Sequence, residues 1–402
     1  MVFGIDFGDP LLFDVDGVAI LIVLLKTLLA FTIVLTAVSL MIWYLRKQIA
    51  GMQNRIGPNI AGPWGLLQTL ADGIKLFTKE DLVPERADRF VFKLAPYLSA
   101  VPAIVTFSIV PLGGDFEDKA GIVHIFGRDT IVQLADPPVG ILLMIALSSI
   151  AVYGVMLAGW SSGSKYPLLG AVRASAQMVS YEAALGLAVA SVILVTGTLS
   201  TRGIVLAQDS LRDWNIVATG FLPFVIFFIA VTAELTHPPF DLVEAEQEIV
   251  GGFHTEYSSI RFALFFLAEF MNVITMSAII VTLFLGGPAG PTLFGPDLMW
   301  GPIWFFAKVF CFLFIFVWFR ATLPRFRYDQ LMDLGWKALI PLALGWLLLL
   351  AGIQIARDED WNWLVFFPVA LAVFLAAYTL LGRAVRTSRD ERAASDGVEV
   401  FD

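Results

Sequence analysis

Charge and cysteine are both scarce in this chain, and each scarcity excludes a class of function. Its 402 residues include one cysteine and three histidines, and 15% are charged. A single thiol, Cys311 inside an apolar run, makes no internal disulfide. It also cannot hold an iron–sulfur cluster, which typically takes about four cysteines. Its plain reading is a small buried or lipid-facing residue. His124, His237 and His254 are not paired on facing apolar segments, which argues against a bis-histidine haem. Electrons for any redox reaction must therefore come from another chain. Walker loops, dinucleotide fingerprints, metal-ligand clusters and catalytic-triad patterns are absent as well. No nucleic-acid partner is expected.

What the chain has in abundance is apolar length. It is 58% hydrophobic, with a mean hydropathy of +0.80, far above soluble globular proteins. Nine candidate spans follow, at 18–44, 94–112, 139–160, 178–199, 216–235, 262–285, 303–319, 338–356 and 361–381. Most reach the ~20 residues that a bilayer demands. The fold class is thus an all-α polytopic membrane protein in the lipid bilayer. Residues 1–16 carry four Asp and no basic residue, the reverse of a signal peptide.

Arginine and lysine set the expected orientation. Arg46, Lys47, Arg55, Lys75, Lys79, Arg86, Arg89 and Lys93 crowd the first connection. Lys165 and Arg173 lie in the third, Arg320, Arg325, Arg327 and Lys337 in the seventh, and four arginines in the tail. Those connections belong in the cytoplasm, with the N-terminus outside and the C-terminus inside. The fifth connection breaks the pattern, because its one basic residue, Arg261, faces five acids.

Within the first connection, Trp64, Leu67, Leu70, Ile74 and Phe77 fall at helical spacing after Gly62-Pro63. The spacing predicts a short amphipathic helix opening at the proline. It lies in the membrane interface or against a cytoplasmic protein. Residues 383–402 read as a disordered tail.

The acidic fifth connection places Glu234, Asp241, Glu244, Glu246, Glu248 and Glu256 close together in sequence. His237-Pro238-Pro239 must interrupt the helix before it. Asp241 can cap whatever helix follows, and Gly251-Gly252 ends or bends that helix. A broken helix at membrane depth needs protein or a water-filled cavity beside it. Spacing alone leaves a solvated loop equally open. Glu182, Glu234 and Glu269 lie within or at the ends of spans, with Glu269 read about two turns into the sixth. Each would be costly against lipid, and a chain of buried carboxylates is what a proton relay needs. The plain alternative is a lone carboxylate bonded to a neighbouring helix. Arg46, Arg55 and Arg173 lie near membrane boundaries, where snorkelling is the default role. Lys26 and Lys308, inside spans, are read as snorkelling too.

Four long motifs then point to one family. They are QNRIGPNIAGPWGLLQTLADGIKLFTKE at 53–80, GWSSGSKYPLLGAVRASAQMVSYE at 159–182, PPFDLVEAEQEIVGGFHTEYS at 238–258 and LPRFRYDQLM at 323–332. Together they closely resemble respiratory complex I membrane subunit 1, the bacterial H subunit of NADH-quinone oxidoreductase. The resemblance covers most of 18–356. It implies a tilted bundle of eight core helices forming much of a quinone-access tunnel. It also implies a carboxylate chain that couples quinone reduction to proton translocation.

By motif position the resemblance assigns Arg46, Arg55, Trp64, Asp72, His237 and Phe266 to the quinone tunnel or cavity. Glu182, Glu234, Asp241, Glu244, Glu246, Glu248 and Glu269 become the coupling carboxylates. Arg173 and Arg325 frame the cytoplasmic loops. Quinone, menaquinone or ubiquinone, is the substrate, and no cofactor is bound by this chain. FMN and iron–sulfur clusters belong to partner subunits, which include peripheral, small membrane and antiporter-like subunits. The bacterial plasma membrane is the implied location.

Three departures qualify the resemblance. Leu45 stands where many relatives have Glu, and Thr236-His237 where many have Asn-Arg. His237 would then titrate in place of a fixed charge. The third is an addition. A core of 1–356 is followed by an extra span at 357–382 and the tail at 383–402. Two other readings compete: the membrane anchor of a related membrane-bound hydrogenase-type complex, and a free-standing proton or cation carrier.

Overall fold

The computed structural model describes residues 8–13, 15–114, 116, 121–242, 246–291 and 297–359, with isolated positions Thr379, Gly382, Arg383 and Thr387. The ninth span and the tail otherwise lie outside the described residues, as does Glu244.

Among the described residues, seven stretches are long and apolar enough to cross a membrane. They are α1 (Gly17–Met52), α3 (Arg89–Phe107), α4 (Gly140–Ser161), α5 (Lys165–Thr196), α10 (Ser259–Phe284), α11 (Asp297–Thr322) and the run Tyr328–Asp358. That last run joins α12 (Tyr328–Asp333) to α13 (Ile340–Asp358) through one wide turn at Leu334–Leu339. Short helices fill the gaps: α2 (Gln68–Thr78), α6 (Thr201–Leu206), α7 (Asn215–Ala218), α8 (Phe221–Glu234) and α9 (Glu246–Ile249).

Several sequence expectations shift. The span expected at 216–235 is broken at Gly220, whose φ of +75° suits glycine, into α7 and the 14-residue α8. At the helical rise α8 is roughly 21 Å long, short of a bilayer core of about 30 Å. The eighth core helix is therefore a short one. The span expected at 178–199 begins instead at Lys165. Arg173 thus lies inside α5, and Glu182 is near its middle rather than at its start. Glu269 is roughly 15 Å along α10, deeper than two turns. Pro63 opens a separate single turn, Pro63–Gly65, and α2 starts only at Gln68.

A β-hairpin on the connection after α3 has no counterpart in the sequence reading. β1 (Ile122–Ile125) pairs antiparallel with β2 (Arg128–Ile131), Ile125 facing Arg128. Phe126 and Gly127 both have positive φ, 49° and 78°, as a tight two-residue hairpin turn requires. Below it, Lys26 is no snorkelling residue. Its ammonium pairs with Asp9 and donates to Thr130 Oγ1 at 3.1 Å. Lys308 likewise donates to the carbonyls of Leu285, Gly287 and Ala289 at 2.7–2.9 Å. In a low-dielectric setting that satisfies all three of its N–H bonds.

The core lies along α10, 72% of whose apolar window is buried, against 17% for α1 at the edge. Close packing of α4 depends on small residues. A Cβ on Gly154 would meet Ser99 Oγ at 2.3 Å and Ser99 N at 2.8 Å. One on Gly159 would meet Ala171 Cβ and the Pro167 carbonyl, each at 2.3 Å. Gly154→Val and Gly159→Val are therefore expected to push α3 and α5 off α4 and to lower the yield of assembled complex in membranes. Gly186→Ala, with open space at its Cβ, should leave that yield unchanged.

Candidate functional site

Asp241, His237 and the two prolines form a buried turn beyond α8. Pro238 and Pro239 are joined by a cis peptide bond. The prolines have no N–H to continue the helix, and a side chain joins the backbone bonds, such as Phe240 N–H to the His237 carbonyl at 2.9 Å, in holding the turn. Gln177 of α5, 1% exposed, donates to the Ala233 carbonyl at 2.7 Å and the Phe240 carbonyl at 2.9 Å. One of the Asp241 carboxylate oxygens accepts from Arg325 Nη2 at 2.7 Å, from the segment between α11 and α12.

Above this turn lies a cavity of about 90 Å³ for solvent centres, between α3, α4, α8, α10 and the turn Gly252–His254. Glu234, Glu269, Phe266 and His254 are among its lining residues. Glu234 Oε1 accepts a hydrogen bond from Ser148 of α4. The adjacent Ser149 donates to Glu182 Oε1 of α5. Two neighbouring serines thus bring carboxylates from two other helices to one stretch of α4. Glu269 Oε1 is 3.8 Å from Arg320 Nη1 of α11.

The polar atoms around the cavity are not all satisfied by protein. Ser99 Oγ, Thr275 Oγ1 and Glu234 Oε2 are buried without a protein hydrogen-bond partner, and all three side chains line it. Buried polar groups in folded proteins nearly always have partners, and water is the usual substitute. One water needs roughly 10–15 Å³ of such space, so the cavity has room for several.

His237 is 1% exposed, and its Nδ1 lies 2.9 Å from the Leu235 carbonyl. Burial, then the nearby Arg320 guanidinium, pushes its pKa down to about 4. The imidazole is therefore neutral across about pH 6–8, which argues against its standing in for a fixed charge. The unfolded chain, with a histidine pKa of about 6.5, takes up the proton first as pH falls. Stability is accordingly lost on descending from about pH 6.5 toward 4. Measured thermal stability between about pH 5 and 7 should be less acid-sensitive in His237→Gln than in the parent, with the quinone-reductase pH profile unchanged between about 6 and 8.

A second group lies apart, on α1 and the first connection. Arg46 Nη1 pairs with Asp72 Oδ2, whose Oδ1 also accepts from Gln68 at 3.2 Å. Arg55 Nε donates to Gln53 Oε1 at 2.7 Å. Trp64 is 71% exposed with φ +53°, and Trp43 Nε1 donates to its carbonyl at 3.0 Å. Leu67, Leu70, Ile74 and Phe77 are exposed beside it. These residues line no part of the cavity that holds Phe266.

The two groups are tied where α2 meets α10. Ser259 Oγ donates to the Leu76 carbonyl at 3.0 Å and Ser258 Oγ to the Glu80 carbonyl at 3.1 Å. Arg261 pairs with Asp81 of the first connection at 2.9 Å rather than with the acids of its own. Those acids find other fates. Glu248 of α9 accepts from Arg173 Nη1 at 2.7 Å in an exposed pair. Glu246 opens α9. Sequence reasoning missed Ser148 and Ser149, although two adjacent hydroxyls in an apolar span are a visible signal. It missed Gln177 and Arg320 because only the fold brings Gln177 to the proline turn and Arg320 to Glu269. Among the described residues, no group of three or more His, Cys, Asp or Glu could hold a metal.

Residues 25–351 match the family model described as NADH dehydrogenase. A protein of Frankia casuarinae, named as the H subunit of an NADH-quinone oxidoreductase, is 50% identical over 361 residues, 88% of this chain and 78% of that protein. Frankia alni has one so named with the same identity and coverage. A third, from Streptomyces avermitilis, is 47% identical over 360 residues, 88% of this chain and 77% of its own length.

Proposed function

We propose, from the premise that this chain belongs to the NADH dehydrogenase family of membrane subunits, that it works as the H subunit of a proton-pumping NADH-quinone oxidoreductase in a bacterial plasma membrane. It is a part of that enzyme and not a catalyst alone. Quinone is the substrate of the assembly, and FMN and iron–sulfur clusters sit in its partners. In keeping with that division, this chain has a single cysteine.

The observation that carries the reading is the pair of glutamates, Glu234 and Glu269, on one cavity with Phe266. Carboxylates held away from lipid and bulk water change charge only at a cost, so they respond strongly to charge arriving nearby. In this reading Arg46, Arg55, Trp64, Asp72 and Phe266 border the path of the quinone, with neutral His237 in the turn behind it. Glu182, Glu234, Asp241, Glu244, Glu246, Glu248 and Glu269 supply the coupling, and Arg173 and Arg325 fix two of them by ion pairing. Reduction of quinone by the peripheral partners would alter the charge beside the cavity. The glutamates would then take up or release protons and pass the change toward antiporter-like subunits. The N-terminus lies outside, as the arginine and lysine distribution requires.

The complete complex in proteoliposomes tests this. NADH-driven quinone reduction with acidification of one compartment is expected, and Arg46→Met should raise the quinone KM several-fold while its kcat changes less. A complex that oxidises a different donor and leaves quinone untouched would favour the anchor of a hydrogenase-type assembly.

A further inference from the structure

His254 is a titratable lining residue of the cavity to which nothing above gives a role. Only three titratable side chains line it among the described residues: Glu234, Glu269 and His254. Of these, histidine is the one whose ordinary pKa lies near neutrality. Position adds to chemistry. His254 ends the single turn Gly252–His254, just ahead of α10. The cavity then follows α10 from Phe262 past Glu269 to Met276, roughly 21 Å at the helical rise. His254 is thus at the end of the cavity nearest the fifth connection, and Thr275 at the other. The cavity's lining also carries the three buried polar atoms that lack a protein partner, on Ser99, Glu234 and Thr275.

The ring is held in place on both sides by aromatic contacts. Phe253 lies 5.0 Å and Phe262 5.3 Å away between centroids, both edge-on. The turn packs on α5 and α4. Helix α4 brings no charged residue. The charged residues of α5 are Lys165, Arg173 and Glu182, of which Arg173 pairs with Glu248 and Glu182 accepts from Ser149. On the chain just beyond His254 come Glu256 and Arg261, and Arg261 pairs with Asp81.

We propose that His254 is the proton-uptake residue of this cavity, taking protons from the aqueous side of the fifth connection and delivering them to Glu269 and Glu234. The proposal rests on the coupling role given above to those glutamates. In the step, a proton from water bonds to the unprotonated ring nitrogen. The proton on the other nitrogen leaves to water in the cavity and, through it, to a carboxylate oxygen. One N–H bond forms and one breaks, and no electrons change hands. The ring ends as the opposite tautomer with its charge unchanged, and proton exchange with water resets it.

The test uses the complete complex in inverted membrane vesicles, with His254→Gln, His254→Asn and His254→Ala. Acidification per NADH oxidised, read across about pH 6–9, is expected to fall several-fold in all three and to lose part of its pH dependence. Added imidazole should restore it in His254→Ala alone, which a merely structural role would not produce. Normal acidification in His254→Gln and His254→Asn at every pH overturns the proposal, as does a His254→Ala complex that assembles, pumps poorly and ignores imidazole. If Glu234→Gln and Glu269→Gln both pump normally, the coupling role beneath it fails instead. If those two fail to pump and the His254 variants succeed, only the present inference falls.

Discussion

Replacing Glu234 by Gln is expected to cut NADH-driven quinone reduction and proton pumping together, by roughly 100-fold, the usual scale of a positioned acid–base group. The side chain keeps its size, so the effect isolates the proton. Glu234 Oε1 is engaged by Ser148, and Oε2 is buried at the cavity without a protein partner. An amide can keep the first contact but cannot exchange a proton through the second. Glu234→Asp retains the acid on a shorter arm and should recover part of both rates. Ser148→Ala should cost less than either, because it removes a contact and leaves the carboxyl. The measurement is the rate of quinone reduction in membranes at matched complex content, with acidification followed in the same vesicles. Normal pumping in Glu234→Gln would remove this residue from the coupling chain.

The sequence reading was strongest where physics acts locally and weakest where distant segments meet. Long apolar runs announce spanning helices because a bilayer admits little else. The break at Pro238-Pro239 was legible because proline chemistry is local. The 14-residue α8 was not, since Gly220 breaks a run whose hydropathy continues unchanged across it. The hairpin escaped because its turn is Phe126-Gly127 rather than Asn-Gly or Asp-Gly, and its strands have four residues each. At the site, the half-buried glutamates of α5, α8 and α10 stood out as charges in an apolar setting. Their partners did not. Arg325 is 84 positions from Asp241, and Ser148 is 86 from Glu234. Nor does the cavity gather every residue the family motifs nominate. Arg46, Arg55, Trp64 and Asp72 form a separate, largely exposed group that belongs with the first connection.

Gln177→Leu is the substitution expected to damage this arrangement most without touching a charge. The buried amide of Gln177 serves two carbonyls, those of Ala233 and Phe240, on either side of the proline turn. Each also accepts one backbone N–H, Ala233 from Thr236 at 3.2 Å and Phe240 from Leu242 at 3.0 Å. Leucine is close in volume, so packing is nearly kept while each acceptor loses one of its two N–H donors. An intramolecular hydrogen bond contributes about 0.5–1.5 kcal/mol net, which puts the pair on the order of 1–3 kcal/mol. Water entering from the cavity would recover part of that. Glu234 is the residue next to Ala233, so the turn that loosens also carries the carboxylate contact to Ser148. The expected result is a lower thermal inactivation temperature of the assembled complex and a fall in pumping larger than the loss of assembled protein. Gln177→Glu keeps the shape but turns the donor into an acceptor facing two carbonyls, and should be worse than leucine. Equal stability of the glutamine and leucine forms would mean that the turn is held by its own contacts, and that the clamp across α5 contributes nothing to the position of Glu234.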